Sequence, residues 1–347
     1  MSVDLFNGSF LAATLNMAAD IPAQEWQLDS GANVIFHGRG ILEIIPAVAG
    51  NKDLIISTGI HGDETGPMEI TDQLVMDVLQ GHVDLAHRCL FIIGHPQATN
   101  AFTRFIDVNL NRLFDGVQQE TNLETQIANQ LQGYVRKFFS SSLENQELWH
   151  LDLHSAIRDS EHYTFAVSPY TNKATRSEEL ACFLQEGEVE ALMLSTSPSP
   201  TFSWFSAENF AAQALTMELG RVAPLGENNL DELAAFSKAL RNLVCVQHAS
   251  DTKWDGDSVK VYEVSRTLTK LSNDFALTFP NDTANFTYFS ENTLLATDEN
   301  GISYSAIEGG EAVVFPNANV AINQRACLLV KPVLTEFNSG QLVVKAK

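Results

Sequence analysis

Ile55-Ile56-Ser57-Thr58-Gly59-Ile60-His61-Gly62-Asp63-Glu64-Thr65-Gly66 is the stretch whose reading decides the fold. The run from Asp53 to Thr58 reads as a buried strand, a glycine follows, and Pro67 opens a segment with Met68, Ile70, Leu74, Val75, Val78 and Leu79 at helical spacing. Proline suits the first turn of a helix, where a missing N–H costs nothing. The unit reads as a buried strand over 53–58, a turn, and a helix over 67–80. The turn carries His61 and Glu64, and Gly62 and Gly66 leave the backbone free to bend around whatever those side chains hold.

The alternation continues to about residue 245. Strands are expected over 89–94, 148–153, 191–196 and 213–219, and helices over 123–139, 177–185 and 230–248. This order predicts an α/β fold, a mostly parallel mixed sheet flanked by helices on both faces. The pattern changes after residue 250. Short strand-like runs at 259–265, 276–279, 286–289, 294–297, 312–315 and 326–330 are punctuated by Asn, Asp, Gly and Pro. One domain is therefore expected over 1–250 and a smaller all-β domain over 251–347, with Ser250-Asp251-Thr252 at the boundary.

The bulk properties exclude several functions. Acidic residues number 43 against 21 basic ones, for a net charge of −22. Nucleic acid needs a basic footprint that this chain lacks, and anionic membrane surfaces are disfavoured as well. No apolar run approaches the ~20 residues that span a bilayer. Ser9–Leu15 reads as a short amphipathic helix; with no basic segment before it and Asp4 in that place, a signal sequence is rejected. Cys89, Cys182, Cys245 and Cys327 are widely spaced without a CxxC pair, which fits a reduced, cytoplasmic setting.

Four candidate residues fall at or just beyond the ends of expected strands: His61, Glu64, His154 and Glu218. Ligands of open α/β sheets bind outside the carboxyl ends of the strands. A lone His at a strand end is more often a hydrogen-bonded structural residue, but two His and one carboxylate make the protein ligand set of a hydrolytic zinc site. Glu218 sits in Leu215-Thr216-Met217-Glu218-Leu219-Gly220, where an unpartnered carboxylate is costly to bury. A loop from His95 to Phe114 adds Arg104, Asn111 and Arg112. Guanidinium forks match carboxylates, so in a chain short of basic residues this loop reads as an anion pocket. The remaining histidines, His150 among them, read as structural or surface.

Gly59–Glu64, Arg104–Phe114, Asp152-Leu153-His154 and Met217–Gly220, in this order, resemble the zinc carboxypeptidase-like acylases of the aspartoacylase/desuccinylase family over roughly residues 50–225. Asp152–Arg158, the length and the β-rich tail resemble its desuccinylase branch; His95 before Pro96 departs from the usual Asn-Pro. The resemblance implies a Zn²⁺ ion, one per subunit, on His61, Glu64 and His154. It implies Glu218 as general base, Arg104 as oxyanion stabiliser, and Asn111, Arg112 and Arg158 as substrate-binding residues. Asp107 and Asn109 are expected to orient the arginines. The implied reaction is hydrolysis of N-succinylglutamate to succinate and glutamate, which ends arginine breakdown by the succinyl route. Alternatives are another N-acyl amino acid such as N-acetylaspartate, a C-terminal peptide residue, or a zinc-binding regulatory protein without turnover. The expected partner is a small anionic substrate; a homo-oligomer is left open.

Overall fold

A computed structural model describes residues 5–117, 121–247 and 251–346 of the chain; Asp4, His248 and Ser250 of the sequence reading lie outside them. The first strands are β1 (Gln24–Gln27), β2 (Asn33–Gly38), β3 (Ile41–Ile45), β4 (Lys52–Thr58), β5 (Arg88–Ile93), β6 (Glu147–Ala156), β7 (Thr164–Ser168), β8 (Ala191–Leu194) and β9 (Gln213–Arg221). Then come β10 (Lys260–Thr269), β11 (Ala276–Leu277), β12 (Thr287–Phe289), β13 (Leu294–Thr297), β14 (Ser303–Ser305), β15 (Glu311–Val314), β16 (Arg325–Pro332), β17 (Thr335–Asn338) and β18 (Gln341–Val344). The helices are α1 (Phe10–Leu15), α2 (Gly66–Leu79), α3 (Pro96–Asn100), α4 (Leu123–Ser140), α5 (Glu178–Glu186), α6 (Phe202–Phe210) and α7 (Ala234–Cys245).

Thirteen strands form one sheet in the order β1-β2-β3-β5-β4-β6-β9-β7-β8-β10-β16-β15-β12. The centre, β5-β4-β6-β9, is parallel. From β4 the chain crosses to β5 on one side and later to β6 on the other. The strand order thus reverses at β4, and the crevice beyond its carboxyl end is the topological switch point. Every residue of β4 is buried. Leu54 and Ile56 face a core layer with Met68, Leu74 and Val75 of α2, Phe183 of α5 and Leu240 of α7. Ile55 faces the opposite layer, with Leu131 and Val135 of α4 and Phe202 and Phe205 of α6. Full burial on both faces is why the strand reads as a continuous apolar run.

The C-terminal strands extend this sheet. β10 lies parallel to β8, and β16, β15 and β12 follow antiparallel. A second sheet, β11-β13-β14, covers them through Leu268, Phe275, Leu295 and Leu329. The β17–β18 ribbon returns to the first layer, where Leu342 is buried and Gly340 O accepts from Glu178 N.

Several elements differ from expectation. The helix expected over 230–248 is a 3₁₀ turn, Leu230–Leu233, followed by α7, because Leu233 has non-helical φ −107° and ψ 11°. The loop 95–114 holds α3, capped by His95, whose Nδ1 accepts from Ala98 N, and a 3₁₀ turn at Leu110–Arg112. Gly66 begins α2 and does not supply a bend. The left-handed residue is Gly59, with φ +66°. Gly62 is required by proximity: a Cβ there would lie 2.2 Å from the backbone carbon of Ala98.

Candidate metal centre and catalytic cleft

In a strand, residues i, i+2 and i+4 share a face. Trp149, Leu151 and Leu153 of β6 point into the α2 layer. His150, Asp152 and His154 therefore form a buried polar column on the other face. A fully buried aliphatic side chain contributes roughly 1.5–3 kcal/mol. Three consecutive inward positions forgo that and are filled by hydrogen-bonding groups instead. Ser57 of β4 lies in register with Asp152, and Glu218 of β9 with His154.

The column is a relay. Ser206 Oγ of α6 lies 2.7 Å from His150 Nδ1, and His150 Nε2 lies 2.9 Å from Ser57 Oγ. Ser57 Oγ donates to Asp152 Oδ1 at 2.6 Å, and Asp152 Oδ2 lies 2.9 Å from His154 Nε2. His61 makes the corresponding contact with Asn109, whose Oδ1 is 3.0 Å from His61 Nε2. Both acceptors assign the ring protons to Nε2 and turn each Nδ1 inward. The two Nδ1 atoms are 3.2 Å apart, and Glu64 closes the triangle: Oε1 is 2.9 Å from His61 Nδ1, Oε2 2.7 Å from His154 Nδ1.

This donor chemistry fits a cation. All three side chains are buried, and their ligating atoms lie within 4.8 Å of one another. Burial pulls His61 down to about 4, against the opposing pull of Glu64. Burial also works against a charged His154, but Asp152 and Glu64 hold it well above its ordinary value. Glu64 is held well below its ordinary value: both histidines and Arg104 outweigh its burial. A divalent ion bound here would take the place of the proton that His154 shares with Glu64, so its loading would be linked to proton release.

Glu218 is partly buried and accepts no hydrogen bond among the described residues. Burial, and then the charge of Glu64, raises it to about 7. That rise is worth roughly 3 kcal/mol in favour of the neutral acid, and it puts the carboxyl where it exchanges a proton near neutrality.

The loop 104–112 is pinned from below. Glu124 Oε1 accepts from Ile106 N at 2.7 Å and Asp107 N at 3.0 Å, and lies 3.0 Å from His95 Nε2. Arg104 Nη1 donates to Glu64 Oε1 at 2.6 Å, and its other N–H groups find no acceptor among the described residues. Asn111 is buried; its Oδ1 accepts from Phe202 N, and its Nδ2 lies 3.3 Å from His154 Nε2, itself a donor to Asp152. Arg112 Nη1 donates to Asn111 O and has no carboxylate partner among the described residues. Burial and the charges of Arg325 and Arg104 lower it to about 9. Arg158 Nε donates to Asn281 O of the C-terminal region, and its field reaches Arg104.

Two expectations are corrected. Asn109 orients His61 and the Asn111 backbone, not the arginines. Among the described residues, the Asp107 carboxylate reaches only Leu123 N, at 3.5 Å. Sequence reading also left His150 and Asp152 without roles, because a polar residue in an apolar strand gives no sign of what it touches. The period-two spacing of His150, Asp152 and His154 was the available signal.

Residues 50–244 match the family model of the succinylglutamate desuccinylase/aspartoacylase catalytic domain, and 257–333 match the AstE/AspA barrel-sandwich hybrid domain. The chain is 48% identical over 345 residues to the succinylglutamate desuccinylase of Vibrio parahaemolyticus, covering 99% of both. It is 38% identical over 313 residues to that of Idiomarina loihiensis, covering 89% of this chain and 91% of the other. The X-ray structure of the Vibrio parahaemolyticus protein superposes with a TM-score of 0.93 at 47% identity, over 99% of this chain and 100% of that one. Murine aminoacylase 3, at 14% identity and a TM-score of 0.57 over 85% of this chain and 99% of that one, shares the fold.

Proposed function

The chain belongs to the succinylglutamate desuccinylase/aspartoacylase family, and from that membership we propose that it hydrolyses N-succinylglutamate to succinate and glutamate, the closing step of arginine breakdown by the succinyl route. The observation that carries this reading is the placing of Glu218 beside His154 in register, next to three converging ligands.

His61, Glu64 and His154 would hold a zinc ion, which would supply Lewis acidity for amide hydrolysis. The chain's own groups do the rest. Asp152 and Asn109 fix the ring orientation of the two histidines. Glu218 takes a proton from the attacking water and returns it to the leaving nitrogen, so the C–N bond breaks as the hydroxyl joins the succinyl carbon. Arg104, with N–H groups to spare, stabilises the developing oxyanion. Arg112 receives a substrate carboxylate, helped by the Asn111 Nδ2 hydrogens, which His154 cannot accept. Arg158, on which the charge of Arg104 acts, would help to bind the same anionic substrate.

The substrate carries three carboxylates and the protein a net charge of −22. The ~8 Å screening length at physiological salt lets the nearby arginines outweigh the acidic surface. A zinc-binding regulator without turnover has no need of a carboxyl raised to about 7 beside its ligands. The division at residue 250 belongs to this reading, supported by the two family-model matches on either side of it. So does a cytoplasmic setting, supported by free cysteines at 89, 182, 245 and 327; no helix among the described residues is long and apolar enough to cross a membrane.

The test is a steady-state assay of zinc-loaded protein on N-succinylglutamate, N-acetylaspartate and other N-acyl amino acids. The highest kcat/KM should fall on N-succinylglutamate. Preference for another acyl amino acid moves the enzyme within its family, and turnover of none of them removes the hydrolase reading.

A further inference from the structure

Among the described residues, Arg325 is the one arginine whose guanidinium donates no hydrogen bond and joins no ion pair; its described partner is the Phe315 ring, with Cζ 5.7 Å from the centroid. Every other arginine has at least one polar partner among the described residues. Arg88 is paired with Asp53, Arg266 with Glu311, Arg241 with Asp77 and Arg221 with Asp159, and Arg39 donates to the carbonyls of Thr14, Asn16 and Ala19. Arg325 is partly buried, and desolvation lowers its pKa. A ring face offsets only part of the cost of desolvating a guanidinium.

The platform beneath it is built. Phe315 has φ +54°, the left-handed region that a bulky residue adopts only when its surroundings enforce it. Its N–H donates to Asn285 Oδ1 at 2.8 Å, and its ring lies 5.9 Å from that of Phe165. Phe165, on β7, stands opposite Glu218 of β9. Asn285 N in turn donates to Asp159 O, in the loop that follows His154. Arg325, at the start of β16, is thereby tied to the strand beside the candidate base. Its charge, like that of Arg104, acts against the charged form of Arg112. Two guanidiniums held near one another, each without a carboxylate, repel until an anion is seated with them.

We propose that Arg325 binds a substrate carboxylate together with Arg112, so that the C-terminal strands supply a specificity-determining residue to the cleft. The proposal rests on the anionic N-acyl amino acid substrate of the preceding reading and adds a contact that the catalytic layer alone does not provide. An acyl amino acid with a neutral group at that position forfeits both guanidiniums.

The test uses full-length, zinc-loaded wild type, Arg325→Gln and Arg325→Lys, with zinc content and thermal melts as controls. Removing one guanidinium from the carboxylate contact should raise KM for N-succinylglutamate about 30-fold or more in Arg325→Gln, with a smaller change in kcat. Arg325→Lys, which keeps the charge but not the fork, should recover only part of the loss and serves if the Gln variant folds poorly. The loss should vanish for the one mono-amide analogue that lacks the bound carboxylate and persist for the others. Calorimetric titration with succinate and glutarate needs no turnover and should show at least one of them weakened by about tenfold or more in Arg325→Gln.

Unchanged KM and unchanged dicarboxylate affinity overturn the proposal. So does an equal loss on every amide analogue. Wild-type turnover that is insensitive to Arg325 sinks this inference alone. Absence of wild-type turnover with Arg325-sensitive dicarboxylate binding sinks the activity reading and keeps Arg325 as an anion ligand; absence of both turnover and dicarboxylate binding sinks both.

Discussion

His154 and Glu218 are direct neighbours across the parallel pair β6 and β9, one a candidate metal ligand fixed by Asp152, the other a carboxyl with no hydrogen bond among the described residues. The register sets one partly buried acid directly beside a candidate metal ligand. Glu218→Gln keeps the shape and removes the proton acceptor. Zinc content and melting temperature should stay near wild type, while kcat falls on the order of 10²–10⁴. A base works ionised, and Glu218 is raised to about 7 by burial and by Glu64, so wild-type kcat/KM should fall as pH drops. A bound cation moves that limb to lower pH without changing its direction. The same acid limb surviving in Glu218→Gln, or near-wild-type turnover, would place the base elsewhere.

The metal centre gives a graded pair of expectations. His61→Ala removes a ligand and should abolish stoichiometric zinc in the dialysed protein. Asp152→Asn leaves every ligand in place but weakens the grip on His154, and such partners typically contribute about 10–100-fold in affinity. Competition with a chelator measures both. Full zinc content in His61→Ala would overturn the ligand assignment, and unchanged affinity in Asp152→Asn would reduce the relay to scaffolding.

Stability in acid should depend on Glu311 in the C-terminal strands. It is buried at the start of β15 and accepts from Ser265 Oγ at 2.6 Å, Arg266 Nη2 at 2.6 Å and Ile307 N at 3.2 Å. Burial opposes its charge, but these bonds and the guanidinium outweigh burial and depress its pKa. A depressed carboxyl contributes stability that is complete above its unfolded value, about 4.5, and is lost as pH falls through the folded value. Glu311→Gln should cost on the order of 3 kcal/mol at pH 7 and should melt with a weaker pH dependence below pH 5. Parallel melting-temperature curves for the two proteins across that range would assign the acid sensitivity to other carboxyls.

What the sequence disclosed follows from how each feature is encoded. The β4–turn–α2 unit was legible because an apolar run, Pro67 and helical spacing all lie within thirty residues of one another, and the candidate ligands sit inside that unit or near the end of β6, where Trp149, Leu151 and Leu153 alternate. β7 and α6 passed unnoticed: Thr164–Ser168 is short, and Phe202–Phe210 is apolar around much of its circumference. The role of Asn109 was misread because a loop side chain shows its sequence neighbours and hides His61 across the turn. Arg325 gave no local sign at all. Its meaning comes from Phe315, Phe165 and Arg112, which only the folded sheet brings to it.

Arg112 offers the sharpest test of substrate recognition. Burial and two neighbouring cations already lower this guanidinium to about 9. A lysine starts about two units lower, so in the same surroundings it would lose much of its charge as well as its planar fork. Arg112→Lys should therefore be damaging despite looking conservative, with a loss of about 10²-fold or more in kcat/KM for N-succinylglutamate and zinc content unchanged. The loss should shrink for the analogue whose matching carboxylate is a neutral amide, because the contact is then absent from both proteins. Comparing two substrates on two proteins isolates that contact from everything else the substitution does. Equal losses on both substrates would mean that Arg112 supports the loop or the transition state in general, and the carboxylate contact would have to be given up.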